Sequence, residues 1–481
     1  MATSLTFVGG AGTVTGSKYL ITHDERRILV DAGVFQGERE LRLLNWQPFP
    51  VPPASIETIL ITHAHTDHVG YLPVLVRDGF DGDVLATAAT CELAAIVLRD
   101  SAFLAERDAE HAASHGYSRH DPPLPLFTAA DAERAIGRFR EVGYDLDVDL
   151  GGGAAARWTR AGHILGAASI RVATPDTSVL ISGDLGRAEH PVLRPRETPP
   201  GAATVLVEST YGDREHLDPS GADHEPLADL IRRTARRGGT VLIPAFAVDR
   251  TEVVLQTLTG LLHDDRIPEL PVFVNSPMAL AALDVYRDPR HAGELRPDLD
   301  VASFVDLPRL HEVRTTEESI ALNRPKLPSI IISSSGMATG GRVLHHLEHL
   351  LPDSRNAVVL AGYQASGTRG RALLEGATHL KMHGRQVAVR AEVLSDEEFS
   401  VHADASDLLD WLRALGEEPE TVFVTHGEQD VAQRFAARIV EELDWNAVVP
   451  RYGEVVSLVP GSAGPDALPP DPAALATDPP G

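Results

Sequence analysis

Five short β-branched runs, each ending in an acidic residue or a histidine, constrain most strongly how this chain can fold. They are RRILVDAG at 26–33, ETILITHAHTDH at 57–68, SVLISGDLG at 178–186, TVLVEST at 204–210 and TVFVTHGE at 421–428. Each run is typical of a buried strand. The first strongly polar side chains after the strands are Asp31, His63, Asp184, Glu208 and His426. If the strands share one sheet with these ends on one side, the side chains converge at its edge, where open sheets commonly place their sites.

Residues 206–380 show a different pattern, a regular alternation of strand and helix. Four units, beginning at GTVLIPAF, LPVFVNSP, SIIISSSG and NAVVLAGY, predict a parallel sheet with covering helices. We expect this second α/β domain to be inserted into the first, because the ligand-type residues His402 and His426 follow it. Residues 460–481 are rich in Pro, Ala and Asp, which predicts a disordered tail.

The composition limits the classes of protein to consider. Apolar residues make up 43% of the chain, and no apolar stretch approaches the roughly 18 positions of a membrane span, so we expect no membrane partner. The N-terminal sequence lacks the features of a secretory signal, which predicts a cytoplasmic location. The single cysteine, Cys91, leaves only histidine and carboxylate as metal ligands. The net charge of −26 argues against a protein that coats nucleic acid, although local basic patches can coexist with an acidic remainder.

The segment ITHAHTDHVG at 61–70 places four metal-ligand side chains within six consecutive positions, namely His63, His65, Asp67 and His68. No packing requirement explains this composition. Zinc bound without thiolate takes imidazole nitrogen and carboxylate oxygen. Four side chains this close cannot all reach one ion with good angles, so we expect two adjacent metal ions. His163, Asp184 and His426 would complete their ligands, with Asp184 as the bridge because a carboxylate has two oxygens.

For two residues, His163 and Asp31, a purely structural role is the alternative interpretation. A lone histidine at a strand end, such as His163, is more often a structural residue than a metal ligand. Asp31 is either a partner that holds one histidine in its correct tautomer or a strand-end turn aspartate, and its spacing favours neither.

HAHTDH, together with VDAG at 30–33, AGHILGA at 161–167 and SGDLG at 182–186, resembles the hallmark motifs of the metallo-β-lactamase superfamily. Further motifs are similar to those of its β-CASP branch, the nucleases related to the cleavage subunit of the mRNA polyadenylation machinery and to bacterial RNase J. They are VESTYGDR at 207–214, SSSGMATGGRVLHHL at 333–347, GYQASGTRGR at 362–371, SVHAD at 400–404 and VTHGE at 424–428. The similarity covers about residues 5–456.

The resemblance implies a four-layer αββα fold built from residues 1–205 and 381–459, interrupted by an α/β β-CASP cap domain in residues 206–380. It also implies two Zn²⁺ ions per chain, with Mn²⁺ as the alternative metal. One ion would take His63, His65 and His163, the other Asp67, His68 and His426, with Asp184 between them. In the family that the chain resembles, members that act on RNA commonly carry histidine at the position of His426, so the resemblance implies RNA rather than DNA as the substrate.

Hydrolysis of an RNA phosphodiester is the activity that the resemblance implies. The catalytic residues would be Asp67, Asp184, Glu208 and His402. Two metals make hydroxide available near neutral pH and neutralise charge on the phosphoryl oxygens. His402, supported by Glu208, would protonate the departing ribose 3′-oxygen. Without the resemblance, an ordinary structural hydrogen bond is the favoured interpretation of this pair.

The cap is expected to hold the RNA backbone. Ser334, Ser335 and Gly336 precede the helical sequence GGRVLHHL, where free N–H groups and the helix dipole favour a phosphate. A plain glycine-rich turn is the alternative. Arg369 and Arg371 would add backbone contacts. Because such contacts position a chain without reading its bases, we expect single-stranded RNA to be selected by accessibility and shape.

Two rival functions have to be weighed. The same metal chemistry can hydrolyse a small ester, thioester or lactone, and an RNA-binding scaffold could retain a non-catalytic zinc site. The inserted cap and the pair of Glu208 and His402 argue against the first, and the complete ligand set argues against the second. Endonuclease and exonuclease action are both compatible with these residues, and a homodimer is among the expected assemblies.

Overall fold

The computed structural model describes residues 3–115, 124–216, 223–299, 305–365 and 367–458, which fold around three main β-sheets. The predicted disordered tail at 460–481 lies outside the described residues. Within the ranges given above, no helix combines the length and the apolar character needed to cross a bilayer.

The first sheet is formed mainly by the N-terminal part of the chain. Its strands are β1 (Thr3–Phe7), β2 (Tyr19–His23), β3 (Arg26–Val30), β4 (Thr58–Leu60), β5 (Asp83–Thr87), β6 (Phe139–Val142) and β22 (Val455–Ser457). They lie in the order β22-β1-β2-β3-β4-β5-β6. Strands β3 to β6 are parallel, so the turns that follow β3 and β4 lie side by side at one edge.

The second sheet also combines distant parts of the chain. Its strands are β7 (Val148–Gly151), β8 (Ala154–Arg160), β9 (Ala168–Ala173), β10 (Ser178–Ile181), β11 (Thr204–Glu208), β20 (Thr421–Thr425) and β21 (Ala447–Val448). They lie in the order β21-β20-β11-β10-β9-β8-β7. Strand β11 is parallel to β10 on one side and to β20 on the other. The C-terminal ends of these three strands therefore lie side by side at one edge of the sheet.

These two sheets stack face to face, and successive side chains along each strand are buried on alternate faces of it. In β3, Ile28 packs between the sheets and Leu29 packs on the opposite side. In β11, Leu206 faces the other sheet and Val207 faces away from it. Each fully buried aliphatic side chain stabilises the fold by roughly 1.5–3 kcal/mol. The two apolar faces of each strand therefore explain why the runs look continuously apolar in the sequence.

Helices cover the outer faces and complete the four layers. The helices of this part of the chain are α1 (Arg39–Leu44), α2 (Thr66–Val69), α3 (Leu72–Arg77), α4 (Ala88–His115), α5 (Ala129–Ile136), α12 (Ala405–Ala414) and α13 (Gln429–Leu443). Helix α4 packs on β5 and β6 of the first sheet, and α13 packs on β20 and β21 of the second. The arrangement is the predicted αββα fold.

The third sheet belongs to the cap. Its strands are β12 (Thr240–Pro244), β13 (Val272–Val274), β14 (Leu310–Glu312), β15 (Ser329–Ser333), β16 (Ala357–Leu360) and β19 (Glu392–Ser395), in the order β14-β13-β15-β12-β16-β19. Every pairing within it is parallel. The four predicted strand–helix units are present, and β14 and β19 extend the sheet at its two edges.

The cap helices alternate with these strands. They are α6 (Glu225–Arg236), α7 (Arg250–His263), α8 (Pro277–Tyr286), α9 (Thr316–Ala321), α10 (Arg342–Leu350) and α11 (Arg369–Leu374), and a hairpin is formed by β17 (His379–Met382) and β18 (Arg385–Ala388). The sheet spans residues 240–395, whereas the bounds 206–380 for the cap domain stay a prediction.

The five strand runs are divided between two sheets. Strands β3 and β4 lie in the first sheet, whereas β10, β11 and β20 lie in the second. Their polar ends still meet, because the two stacked sheets present these strand ends to the same side of the sandwich.

Candidate metal centre

The ligand-rich turn directly follows β4. His65 precedes helix α2, a single turn, and its carbonyl accepts the backbone N–H groups of His68 and Val69. In this short turn, the ligand-type side chains extend in different directions from closely spaced backbone positions. His63 and His68 are fully buried or nearly so, and Asp67 is partly exposed.

One group of four side chains converges on a single point. His65 Nδ1 lies 3.1 Å from His63 Nε2 and 3.3 Å from His163 Nε2. Asp184 Oδ2 lies 3.6 Å from His63 Nε2 and 3.7 Å from His163 Nε2. Ligand atoms of one tetrahedral zinc lie roughly 3.3 Å apart, since each zinc–ligand bond is roughly 2.0–2.1 Å long. The spacing of these nitrogen and oxygen atoms therefore fits one zinc ion.

A second group lies on the other side of Asp184. Asp184 Oδ1 is 3.4 Å from His68 Nε2 and 3.5 Å from His426 Nε2. Asp67 Oδ2 is 3.9 Å from His426 Nε2. Asp67, His68 and His426 form a set whose ligand atoms are close enough to share an ion. The two oxygens of Asp184 therefore face two different sets of ligands.

Buried polar atoms that lack a hydrogen-bond partner indicate whether a metal ion fits this site. Within the described part of the chain, His68 Nε2 and Asp184 Oδ1 are buried with no hydrogen-bond partner. A buried polar atom left unpaired is costly, and native proteins rarely keep one without a reason. These two atoms face each other at 3.4 Å, and a divalent cation would satisfy both. The donor set, imidazole and carboxylate, is one that zinc accepts.

Burial and the central carboxylate set the protonation states of the group. Burial lowers the pKa of His63 and of His163 well below the ordinary value for histidine. For Asp184, burial raises the pKa, but His426, His68 and His63 outweigh it and hold the pKa well below its usual range. Neutral imidazole and ionised carboxylate are the forms that bind metal. Burial lowers the pKa of His68 too, but the charges of Asp184 and Asp31 outweigh it and raise the pKa well above the ordinary value, so His68 has to release a proton when a metal ion binds.

Two neighbouring side chains orient the histidines. Asp31 accepts a hydrogen bond from His68 Nδ1 at 2.7 Å and another from the Thr62 backbone N–H at 2.8 Å. The Ser17 hydroxyl lies 2.7 Å from His426 Nδ1. Each contact occupies Nδ1 and leaves Nε2 facing Asp184, which is the usual way to fix a metal-binding tautomer. Sequence reasoning identified Asp31 but missed Ser17, whose only signal is its glycine-rich setting GGAGTVTGSK at 9–18.

The predicted acid pair lies beside the first group. His402 Nδ1 is 3.6 Å from Glu208 Oε1 and 4.0 Å from Asp184 Oδ2. Glu208 is buried and held in place, because its carboxylate accepts the backbone N–H groups of Leu185 at 2.7 Å and Thr210 at 3.3 Å. Burial lowers the pKa of His402, but the nearby carboxylate of Glu208 outweighs it, so the net pKa is raised. The pair therefore favours a protonated His402.

The serine segment of the cap contacts its own loop. The Ser334 hydroxyl donates to the Ser276 hydroxyl at 3.0 Å, and the Ser335 hydroxyl accepts the backbone N–H of Thr339 at 3.0 Å. Helix α10 begins at Arg342, several residues beyond Gly336. The predicted support from the helix N-terminus is therefore wrong for these residues, because a loop separates them from the helix. Phosphate binding by Ser334, Ser335 and Gly336 stays a prediction.

The two arginines of GTRGR also contact the cap. Arg369 Nε donates to the Lys381 carbonyl at 3.0 Å, and Arg371 Nε donates to Glu375 at 2.7 Å. Both guanidinium groups therefore have partners within the protein, and a role in RNA binding would need the remaining N–H groups or an exchange of partners. Their phosphate contacts also stay a prediction.

Among the residues that the structure describes, two further groups of ligand-type side chains lie outside this centre. His345, Glu348 and His383 come together on the cap surface, and His224, Asp396 and Glu398 meet where the chain enters and leaves the cap. The second group is tied by ion pairs of 3.1 Å and 3.4 Å from His224 Nδ1 to the two carboxylates. Sequence spacing did not single out either group, because their members are far apart in the chain or lie on a helix rich in histidine.

Comparison with known families agrees with this architecture. Residues 11–245 match the metallo-β-lactamase superfamily, residues 251–373 match the β-CASP domain, and residues 386–450 match the Zn-dependent metallo-hydrolase RNA specificity domain. A solved structure of a protein of unknown function from Enterococcus faecalis has the same fold, with a TM-score of 0.53 and 13% identity over 95% of this chain and all of that chain.

Curated relatives match over nearly the whole chain. Ribonuclease TTHA0252 of Thermus thermophilus is 38% identical over 88% of this chain and 92% of its own length. An RNase J-like protein of Methanocaldococcus jannaschii is 28% identical over 94% of this chain and 99% of its own. Transcription termination factor FttA of Methanosarcina mazei is 28% identical over 91% of this chain and 69% of its own. With its sandwich, its inserted cap and its histidine and aspartate cluster, the chain belongs to the metallo-β-lactamase superfamily and, within it, to the β-CASP metallo-hydrolases.

Proposed function

We propose that this protein is a ribonuclease that hydrolyses RNA phosphodiester bonds with two zinc ions per chain. The position of Asp184 is the observation that carries the proposal, because its Oδ2 faces His63 and His163 while its Oδ1 faces His68 and His426. The names of the relatives, ribonuclease and RNase J-like protein, support RNA as the substrate.

The side chains divide the work. His63, His65 and His163 would hold one ion, and Asp67, His68 and His426 would hold the other, with Asp184 shared. Bound zinc supplies a water of lowered pKa and neutralises charge on phosphoryl oxygens. Asp31 keeps His68 in the required tautomer, because a carboxylate can only accept, and Ser17 orients the ring of His426.

His402 is proposed as the general acid. Its Nδ1 is held toward Glu208, so Nε2 is the ring nitrogen left to donate a proton to the departing 3′-oxygen. The imidazole rings of His402 and His163 have centroids 4.4 Å apart, which puts the acid beside the first ligand set. Protonation of the leaving group is needed because an alkoxide is a poor leaving group, and a positioned acid typically contributes about 10²–10⁴-fold.

Several finer features belong to the same proposal. Single-stranded RNA is the expected substrate, since contacts to the RNA backbone select a strand by its accessibility and shape. Mn²⁺ is the alternative metal, and a homodimer and a cytoplasmic location stay predictions made from the sequence. Hydrolysis of a small thioester or ester is the second candidate, because the same centre can attack a carbonyl carbon.

Labelled substrates test the proposal directly. Zinc-loaded protein is incubated with single-stranded RNA labelled at either end, with DNA of the same sequence and with a thioester. Internal fragments or mononucleotides from RNA support it, and turnover of the thioester alone refutes it. Asp184→Asn should abolish cleavage and lower the zinc content while RNA binding persists. Asp284→Asn, a change on the exposed surface of the cap, serves as the matched control and should cleave normally.

A further inference from the structure

The loop that carries His163 depends on the cap for two of its backbone hydrogen bonds. It connects β8 to β9, and within it the Ala161 N–H donates to the Ala167 carbonyl at 2.9 Å. The N–H of Leu165 donates instead to the Tyr286 hydroxyl at 3.1 Å, and that of Gly166 donates to Glu294 Oε2 at 2.9 Å. Tyr286 is the last residue of α8 and Glu294 ends the 3₁₀ turn that follows, so both acceptors belong to the cap.

Tyr286 is itself fixed by a buried chain of hydrogen bonds. Its hydroxyl donates to Asp249 Oδ1 at 2.8 Å, and His190 Nε2 lies 3.2 Å from Asp249 Oδ2. His190 Nδ1 accepts the backbone N–H groups of Val192 and Leu193, so its proton is on Nε2 and is donated to Asp249. Tyr286, Asp249 and His190 are each at most 1% exposed. The tyrosine oxygen therefore cannot rotate away without breaking other bonds.

Glu294 is held from the opposite side. Its Oε2 also accepts the hydroxyl of Tyr144, a residue of the sandwich, at 2.9 Å. The Tyr144 hydroxyl lies 3.4 Å from the Ala167 carbonyl at the end of the same loop. The sandwich also holds the loop through the hydroxyls of Thr87 and Thr90, which donate to the Gly166 carbonyl at 2.7 Å and 2.9 Å. Side chains of both the cap and the sandwich thus surround residues 165–167, just after His163.

We propose that Tyr286 and Glu294 are positioning residues for the metal centre. By holding the N–H groups of Leu165 and Gly166, they fix the position of His163. They therefore couple docking of the cap to metal binding by the first ligand set, which consists of His63, His65, His163 and Asp184. The inference rests on the proposed function for one premise only, namely that the centre holds two metal ions. It predicts a selective effect, because the second set takes its distant ligand, His426, from a different loop.

The chain offers a matched control for this idea. Tyr363, also in the cap, donates its hydroxyl to Glu428, two residues after His426. Like Tyr286→Phe, Tyr363→Phe removes a tyrosine hydroxyl group, but it removes it from a different contact between cap and sandwich. Loosening of the cap as a whole would affect both variants alike, whereas a local effect on His163 distinguishes them.

The test measures metal and backbone protection, not only activity. Apoprotein of the wild type, Tyr286→Phe, Glu294→Leu and Tyr363→Phe is titrated with zinc against a chromophoric chelator. His426→Ala versions of the same proteins isolate the first ligand set. Tyr286→Phe and Glu294→Leu, which remove the acceptor oxygens for the Leu165 and Gly166 N–H groups, should weaken zinc binding by the first set by roughly 10- to 100-fold, as loss of an orienting partner does in other metal sites, and Tyr363→Phe should not. Hydrogen exchange of residues 161–167 in the apoprotein should be faster in the first two variants only.

The outcomes separate the inference from the function. Unchanged zinc affinity and exchange in Tyr286→Phe and Glu294→Leu, or an equal loss in Tyr363→Phe, would overturn the inference even if RNA is cleaved. A selective loss of zinc would sustain it even if no RNA is cleaved, in which case only the proposed function fails. Glu294→Leu, a change of a partly exposed side chain that removes both acceptor oxygens, provides the answer if Tyr286→Phe does not fold.

Discussion

Removing the imidazole of His402 is the perturbation that most directly tests the chemistry. A general acid typically contributes about 10²–10⁴-fold, so His402→Ala should slow RNA cleavage by that factor, equivalent to about 3–5.5 kcal/mol of barrier. Glu208 acts through His402. At the 3.6 Å separation of Nδ1 and Oε1, and with an effective dielectric constant of about 20, their attraction is at most about 4–5 kcal/mol. Glu208→Gln should therefore cost no more than about 10³-fold, and the double variant should be no slower than His402→Ala, because the two act as a unit.

The assay compares two leaving groups under single-turnover conditions. RNA loses an alkoxide that needs a proton, whereas bis(p-nitrophenyl) phosphate loses a phenolate that does not. His402→Ala should lose its full factor on RNA and less than about tenfold on the activated ester, since the acid matters only where the leaving group needs it. Equal losses on the two substrates would show that His402 binds or positions the phosphate and would refute its role as the acid. The zinc content of each variant serves as the control for an intact centre.

Three further predictions concern the centre and its support. Gly33→Ala places a Cβ atom 1.5 Å from the Asp67 carbonyl, so it should displace the ligand turn, weaken zinc binding at least tenfold and lower the melting temperature by calorimetry. Burial lowers the pKa of Lys18 from 10.5 to about 7, so the unfolded chain binds more protons between these values and stability rises with pH. From pH 7 to 8.5 the wild-type apoprotein should therefore gain about 1–2 kcal/mol of stability relative to Lys18→Met in urea unfolding, a difference that cancels the other titrating groups. Phe7→Ala, deep between the stacked sheets, should cost about 3–5 kcal/mol in the same assay, and a cost under about 1 kcal/mol would contradict the sandwich packing.

Local sequence singled out the turn at His63, His65, Asp67 and His68 because these residues lie within six consecutive positions, and a turn that short leaves the backbone few ways to separate them. The strand runs were also predictable, because burial on both faces demands continuous apolar residues. The division of the runs between two sheets could not be predicted from the runs themselves, since a strand buried on both faces looks alike in either sheet of a sandwich.

Long-range hydrogen bonds could not be predicted in this way. Ser17 and His426 are far apart in the chain, and a serine in a glycine-rich segment carries no signal for its partner. Tyr286 and Glu294 look like ordinary residues of a cap helix and a turn, and their role appears only when α8 docks beside the loop of His163. The loop between Gly336 and Arg342 was missed because glycine-rich helix starts and glycine-rich loops share their composition.

The amino-acid sequence by itself determined which chemistry is available: imidazole and carboxylate ligands, placed at strand ends where backbone geometry concentrates them. Tertiary structure alone decided which oxygen of Asp184 faces which histidines, and which side chains of the cap hold the loop of His163. The physical reason is that ligand identity is a property of single residues, whereas distances of 3 to 4 Å between residues hundreds of positions apart depend on how two sheets and a cap pack together.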